Sequence, residues 1–200
     1  MAQETEAKFY VERLGDLQKR LERLGARLEE ARVFELNLRF DTPNGDLKRA
    51  QSVLRLRRDT RARLTYKDSG RMEAGALSRR ELEFTVSDFD GAREMLEALG
   101  YEIVFIYEKY RSTYELDGVE VMLDEMPYGQ FVEIEGNADA LRVTAERLGL
   151  NWDTSIPDNY SLLFEHLQAR RNLPFRDLTF DNFRGIQVSA ADLAVRPADE

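Results

Sequence analysis

The sequence predicts an α+β fold in which about eight strands close into an antiparallel β-barrel with helices packed outside. Two observations carry this. Segments alternating apolar with charged or polar residues recur along the chain, as in strands with two unlike faces, and leucines at helical spacing separate some of them. The charged faces also repeat in kind, acid pairs on some strands and basic pairs on others. An open sheet, with helices on one face and water on the other, accounts for the alternation equally well. Closing the sheet with its charges inward is costly unless water, counter-charges and a bound ligand compensate them. Such a barrel would exist to hold something highly charged.

Glu4, Glu6 and Lys8 put two acids and a base on one face of an opening strand that extends to about Val11. Leu14, Leu17, Leu21, Leu24 and Leu28 then recur at helical spacing among Arg, Lys and Glu, an amphipathic helix with one face to cover. Residues 33–41 alternate as a strand, closed by the turn chemistry of Thr42, Pro43, Asn44 and Gly45, and residues 47–51 read as a loop or short helical turn. Two basic-faced strands follow, one carrying Arg55 and Arg57, the next Arg63 and Lys67. Residues 68–77, with Gly70 and Gly75, read as a flexible connection to a strand on which Arg79, Glu81 and Glu83 share a face.

Asp88 is placed to cap a helix reaching Leu99, and Gly100 to end it. Strands over about residues 102–114, 119–124 and 131–135 present Lys109, Arg111 and Thr113, then Asp124, then Glu133 and Glu135. A helix over about residues 138–148 stops at Gly149. Another begins near Pro157 and Asp158, with Tyr160, Leu163, Phe164 and Leu167 as its apolar stripe. The order strand, helix, several strands occurs twice, and Leu21-Glu22-Arg23-Leu24-Gly25 is echoed by Leu96-Glu97-Ala98-Leu99-Gly100, which reads as an internal repeat. From about Asn172 the pattern dissolves. Phe175, Phe180 and Phe183 suit a tail that packs on something, while the last dozen residues read as loosely held.

Composition narrows the chemistry. With 200 residues, 34% charged and 42% hydrophobic, the chain suits one large globular domain or two small ones. No apolar run approaches membrane-spanning length and the start does not read as a signal peptide, so the expectation is a cytoplasmic protein with no membrane partner. The absence of cysteine excludes disulfides, thiolate chemistry and sulfur-ligated metal, and the single histidine, His166, reads as structural. Any metal must then be held mainly by carboxylates, which favours Mg²⁺ or Mn²⁺. A net charge of -9 argues against binding duplex nucleic acid but leaves room for a small polyanion in a local basic pocket. Basic rows suit phosphate oxygens, and acid pairs in the same cavity would repel them unless divalent cations intervened. The ligand inferred is a metal-bound polyphosphate.

These residues also carry a family resemblance. Glu4-x-Glu6-x-Lys8 resembles the signature of the CYTH superfamily, the triphosphate tunnel metalloenzymes, which include class IV adenylate cyclases and thiamine triphosphatases. Phe40-Asp41-Thr42-Pro43, Leu54-Arg55-Leu56-Arg57, Leu64-Thr65-Tyr66-Lys67 and Arg79-x-Glu81-x-Glu83 are similar to its further motifs. So are Lys109-x-Arg111, Leu123-Asp124-Glu125 and Gly129-x-Phe131-Val132-Glu133-Ile134-Glu135. The set runs in the family's order over about residues 1–167, leaving 168–200 outside as an extension that could cover a tunnel mouth, pack on the barrel or join two subunits in a homodimer.

The resemblance implies an eight-stranded antiparallel tunnel that binds a triphosphate with Mg²⁺ or Mn²⁺. Members hydrolyse inorganic tripolyphosphate, thiamine triphosphate or nucleoside triphosphates, and one class cyclises ATP to cyclic AMP and pyrophosphate. By resemblance Glu4, Glu6 and Lys8 form the catalytic strand. Glu4, Glu6 and Glu133 would help hold metal, with Glu81, Glu83, Asp124 and Glu135 as further ligands or contacts to its waters. Lys8, Arg55, Arg57, Lys67, Arg79, Lys109 and Arg111 would grip the phosphates, and Arg80 beside Arg79 leaves that register open by one residue. Asn37 and Arg39 stand where cyclase-like members often carry Asp and Tyr, which leans the resemblance toward phosphohydrolases. A metal-dependent triphosphatase is thus expected, with an adenylate cyclase or a non-catalytic polyphosphate-binding module as alternatives.

Overall fold

The computed structural model describes residues 3–73 and 76–199; the side chains of residues 3, 4, 72, 73, 76 and 77 lie outside what is described. The chain begins with β1 (Gln3–Val11), α1 (Leu14–Arg23) and β2 (Arg27–Asp41). After α2 (Asp46–Arg49) come β3 (Val53–Arg58), β4 (Ala62–Lys67), β5 (Arg71–Glu73) and β6 (Ala76–Val86). Then follow α3 (Phe89–Ala98), β7 (Glu102–Leu116), β8 (Val119–Met126) and β9 (Gly129–Glu135). Two helices end the series, α4 (Ala138–Arg147) and α5 (Tyr160–Arg171).

The strands pair antiparallel in the order β1-β9-β8-β7-β2-β3-β4-β6, and β1 returns to pair with β6. The expected eight-stranded ring is therefore closed, with Glu4 opposite Arg79 at the seam. Short β5 continues along the side of β6 that β4 occupies. Residues 68–77 are thus not a mere connection, because β5 and the start of β6 pair there; residues 74 and 75, with Gly75 among them, lie outside the described residues.

Strand alternation decides what lies on each side. Outward Phe9, Val11, Val121, Val132 and Ile134 are buried under Leu14, Leu17 and Leu21 of α1, Leu141 and Ala145 of α4, and Leu148 just after it. Each such side chain contributes roughly 1.5–3 kcal/mol by leaving water. Leu96 of α3 does the same over Leu38, Phe40 and Leu56.

Helix α5 packs differently, against one end of the ring. The inward faces change character along their length: Lys8 gives way to Tyr10, Glu133 to Phe131, Asp124 to Met126, and Lys109 to Tyr107 and Phe105. These apolar residues form one cluster with Leu163, Phe164 and Leu167, so α5 closes one end of the ring.

Helix α1 stops five residues short of Leu28. Gly25 takes a left-handed φ of 81°, its amide bonds the Glu22 carbonyl and that of Ala26 bonds the Leu21 carbonyl, a glycine cap that ends the helix. Leu28 then falls in β2, which starts earlier than its alternation indicates because it stays paired with β7 from Arg27 onward. Residues 189–199 are not loose. The Ala198 amide bonds the Tyr10 carbonyl at 2.9 Å, and the Asp199 carboxylate accepts from the amides of Glu12 and Arg13. Among the described residues no helix is long and apolar enough to cross a membrane.

Candidate active site

The ring encloses a cavity of about 200 Å³ against the N-terminal end of α5. Among the described residues eight cations line it, Lys8, Arg39, Arg55, Arg57, Lys67, Arg79, Lys109 and Arg111, against six carboxylates, Glu6, Glu81, Glu83, Glu120, Glu133 and Glu135. In a chain of net charge -9, this gathers positive charge in one enclosed place. Because Glu6, Arg57, Lys109 and Glu133 converge there, the open-sheet alternative is overturned.

One wall is built on a buried carboxylate. Asp124 is fully buried beneath the cavity lining and accepts from Lys109 Nζ at 2.9 Å, Arg111 Nε at 2.6 Å and the Tyr160 hydroxyl at 2.7 Å. Arg111 also bonds Glu133, whose other oxygen lies 3.4 Å from Lys8 Nζ. Lys8 donates to the Asp158 carbonyl at 3.1 Å and sits over the Tyr160 ring. Burial pushes the Glu133 carboxyl up, but Arg111, Lys8 and Lys109 outweigh it and hold the group well below the usual carboxylate range. Behind Lys109 lies Glu35, 1% exposed, 3.6 Å from Lys109 and 3.5 Å from Arg57. Burial raises its carboxyl too, and Lys109, Arg111, Arg57 and Arg55 reverse the effect to about 2.

The facing wall is more open. Glu83 lies 3.7 Å from Arg55, 3.5 Å from Arg57 and 3.8 Å from Arg63, and accepts from the Thr65 hydroxyl at 2.8 Å. Lys67 pairs with Glu81, and Arg79 with Glu6 at 3.0 Å. Arg79 rather than Arg80 faces the cavity, which fixes the register the sequence left open; Arg80 is exposed. Burial presses the Arg55 guanidinium down, yet Tyr107, Glu35 and Glu81 hold it above its ordinary value.

The predicted site residues are therefore brought together, with two exceptions. Glu4 lies in β1, but its side chain is outside the described residues. Asp124 is not among the lining residues, because its oxygens are taken by Lys109, Arg111 and Tyr160. Sequence reasoning missed Glu35, Tyr107, Glu120, Tyr160 and Ser161, and noted Arg39 only as a departure from a family pattern. Tyr160 passed as apolar stripe, although a tyrosine hydroxyl needs a polar partner once buried. His166 is exposed, 3.7 Å from Asp158, and does not line the cavity.

An antiparallel ring closed around charged side chains of both signs defines a β-tunnel protein. The chain belongs to the CYTH domain family, whose model matches residues 2–142. It is similar to the PH1012 protein of Pyrococcus horikoshii OT3, with 27% identity and a TM-score of 0.68 over 78% of this chain and 96% of that one. A candidate adenylate cyclase of Vibrio parahaemolyticus is 20% identical, with a TM-score of 0.72 over 81% of this chain and 97% of its own. A candidate adenylyl cyclase of Hippeastrum, described as having a dominant triphosphatase activity, is 18% identical with a TM-score of 0.55. That last likeness covers 96% of this chain and all of the other, so the shared fold reaches into the tail. The Vibrio and Hippeastrum likenesses are of fold alone. No curated protein matches the chain.

Proposed function

We propose that this chain is a divalent-metal-dependent phosphohydrolase that cleaves a terminal phosphoanhydride of a triphosphate held in the tunnel. The observation that carries this is the cavity itself, where, among the described residues, lining cations outnumber carboxylates and α5 closes one end. Anionic oxygens are the chemistry such a lining attracts, and Arg forks bind phosphate in bidentate fashion.

The donor set fits Mg²⁺ or Mn²⁺. Glu6, paired with Arg79, lies directly opposite Glu135 on the neighbouring strand, and two carboxylates so placed favour a cation near them. Among the described residues no three carboxylates are grouped to cage an ion. That suits Mg²⁺, which takes one or two protein carboxylates and completes its shell with water and substrate phosphate. Glu6, Glu133 and Glu135 would hold the ion, with Glu4 beside them in sequence. When bound, the ion would neutralise charge on the triphosphate and make the attacking water easier to deprotonate.

The protein's own groups do the rest. Lys8, Arg57, Lys109 and Arg111 hold the phosphate chain and stabilise charge as it spreads over the transferring group. Glu133 stays ionised beside Arg111 and Lys8, so it anchors these cations rather than accepting a proton. Water attacks the terminal phosphorus, the bond to the bridging oxygen breaks with its electron pair going to the departing diphosphate, and the water's proton is lost to solvent, which leaves orthophosphate. No histidine or cysteine nucleophile takes part.

Incubation with tripolyphosphate, ATP and thiamine triphosphate, with Mg²⁺ or Mn²⁺ and with products resolved, tests the reading. Orthophosphate is expected; cyclic AMP with pyrophosphate would make the chain a cyclase, and binding without turnover would make it a binding module. Lys8→Ala should lose about 10² to 10³ in rate while retaining its circular dichroism spectrum. Near-normal turnover in that variant would remove β1 from the mechanism.

A further inference from the structure

Arg39 differs from the other cations lining the cavity. Lys8, Arg55, Arg57, Lys67, Arg79, Lys109 and Arg111 each have a carboxylate within 4 Å. Among the described residues Arg39 has none: its guanidinium donates to the Ser161 hydroxyl, which in turn bonds Asn159. Arg39 is also directly opposite Arg55 on the neighbouring strand, and like charges so placed destabilise a sheet. Arg55 Nε, moreover, is buried without a hydrogen-bond partner. Two guanidiniums thus face each other at the α5 end of the cavity, one with no carboxylate within 4 Å among the described residues and the other with an unused donor.

We propose that Arg39, with Arg55 opposite it, is a terminal-phosphate anchor that seats the free end of a polyphosphate chain against α5. This rests on the triphosphate reading above. Asn159, Tyr160 and Ser161, from the start of α5, line the same end, and the positive end of the helix dipole adds to the attraction. Burial pushes the Arg39 guanidinium below its ordinary value, with Arg55 pushing the same way, so a dianionic phosphate there would relieve a real cost. Size agrees. About 200 Å³ is below the 300–1,000 Å³ typical of pockets that enclose drug-sized ligands, so a phosphate chain fits where a nucleoside does not. The substrate therefore enters terminal phosphate first, and any organic group it carries points to the mouth.

Binding in EDTA, by calorimetry on the full chain, tests this without turnover. The probes are tripolyphosphate with two free ends, ATP with one, and diadenosine triphosphate with none. The wild type should prefer the first two. Arg39→Gln should weaken tripolyphosphate and ATP about ten- to a hundredfold and leave the capped ligand unchanged. Arg39→Lys should recover part of the loss, since it restores the charge without the fork. Circular dichroism checks both variants, and the lysine variant carries the comparison if the glutamine one does not fold. Equal losses for all three ligands, no loss, or a wild type that binds the capped ligand as well as tripolyphosphate would overturn the anchor and leave the hydrolase reading standing. A wild type that binds none of them would overturn both.

Discussion

The two walls of the tunnel hold their charges differently. On β7, β8 and β9, Lys109, Arg111, Asp124 and Glu133 are all buried, in mutual contact at hydrogen-bond distance, with the Tyr160 hydroxyl closing the set. On β3, β4 and β6, Glu83, its side chain 31% exposed, lies 3.5 to 3.8 Å from Arg55, Arg57 and Arg63, while Asp59 also pairs with Arg57 at 3.3 Å and with Arg63, and Glu35 reaches Arg57 at 3.5 Å. The outer faces differ in the same sense. Val121, Val132 and Ile134 are covered by α1 and α4, whereas Leu82 and Phe84 on β6 are 44% and 58% exposed. The first wall is a frame whose charges are already compensated. On the second, the contacts of Glu83 are longer and wetter, and such contacts exchange a carboxylate for a phosphate at small cost.

The largest expected effect is in the frame. Asp124→Asn keeps the shape of the side chain but leaves Lys109 and Arg111 buried with less counter-charge. Breaking a buried pair in this way costs roughly 3–5 kcal/mol, which for a chain of this size lowers the melting temperature by about 6–20 °C. A thermal melt followed by circular dichroism measures it. A shift of a degree or less would mean that the wall is not held together by its charges.

Acid should dismantle the same wall. The Glu35 carboxyl is held at about 2, below its ordinary value of 4.5, so its stabilisation is complete above pH 4.5 and is lost as pH falls toward 2. The amount is on the order of 3 kcal/mol. Glu133, also held low, acts in the same direction. Urea titrations at pH 5 and pH 3 should show wild-type stability falling with acid, while Glu35→Gln, weaker at pH 5, falls less. If both proteins respond alike to pH, Glu35 is no part of the frame.

The contrast between the walls was only half legible in the sequence. Strand alternation fixes which face a side chain takes, so Lys109 with Arg111, and Glu133 with Glu135, could be grouped from their spacing alone. Alternation says nothing of depth along a tunnel. Tyr10 shares a face with Lys8, and Phe131 with Glu133; only the docking of α5 makes one end apolar and the other charged. For the same reason Asp124 reads as a metal ligand in sequence and is an internal anchor in three dimensions. The end of α1 was hidden differently: Leu24 and Leu28 continue the helical spacing, and the backbone of Gly25 overrides it. Arg39 was visible only as an unexpected residue, since the lack of a salt-bridge partner among the described residues is a property of the assembled ring.

The smallest expected effect lies in the open wall, and it has two parts. Glu83→Gln keeps an oxygen to accept from Thr65 but removes the charge shared by three guanidiniums. Its contacts are long and partly hydrated, so stability should change by less than about 1 kcal/mol, against several for Asp124→Asn. Tripolyphosphate binding in EDTA should tighten, because the carboxylate and the phosphate compete for the same arginines. A melting temperature lowered as far as that of Asp124→Asn would erase the distinction between the walls. Weaker binding would mean that Glu83 positions the arginines for phosphate instead of occupying them until it arrives.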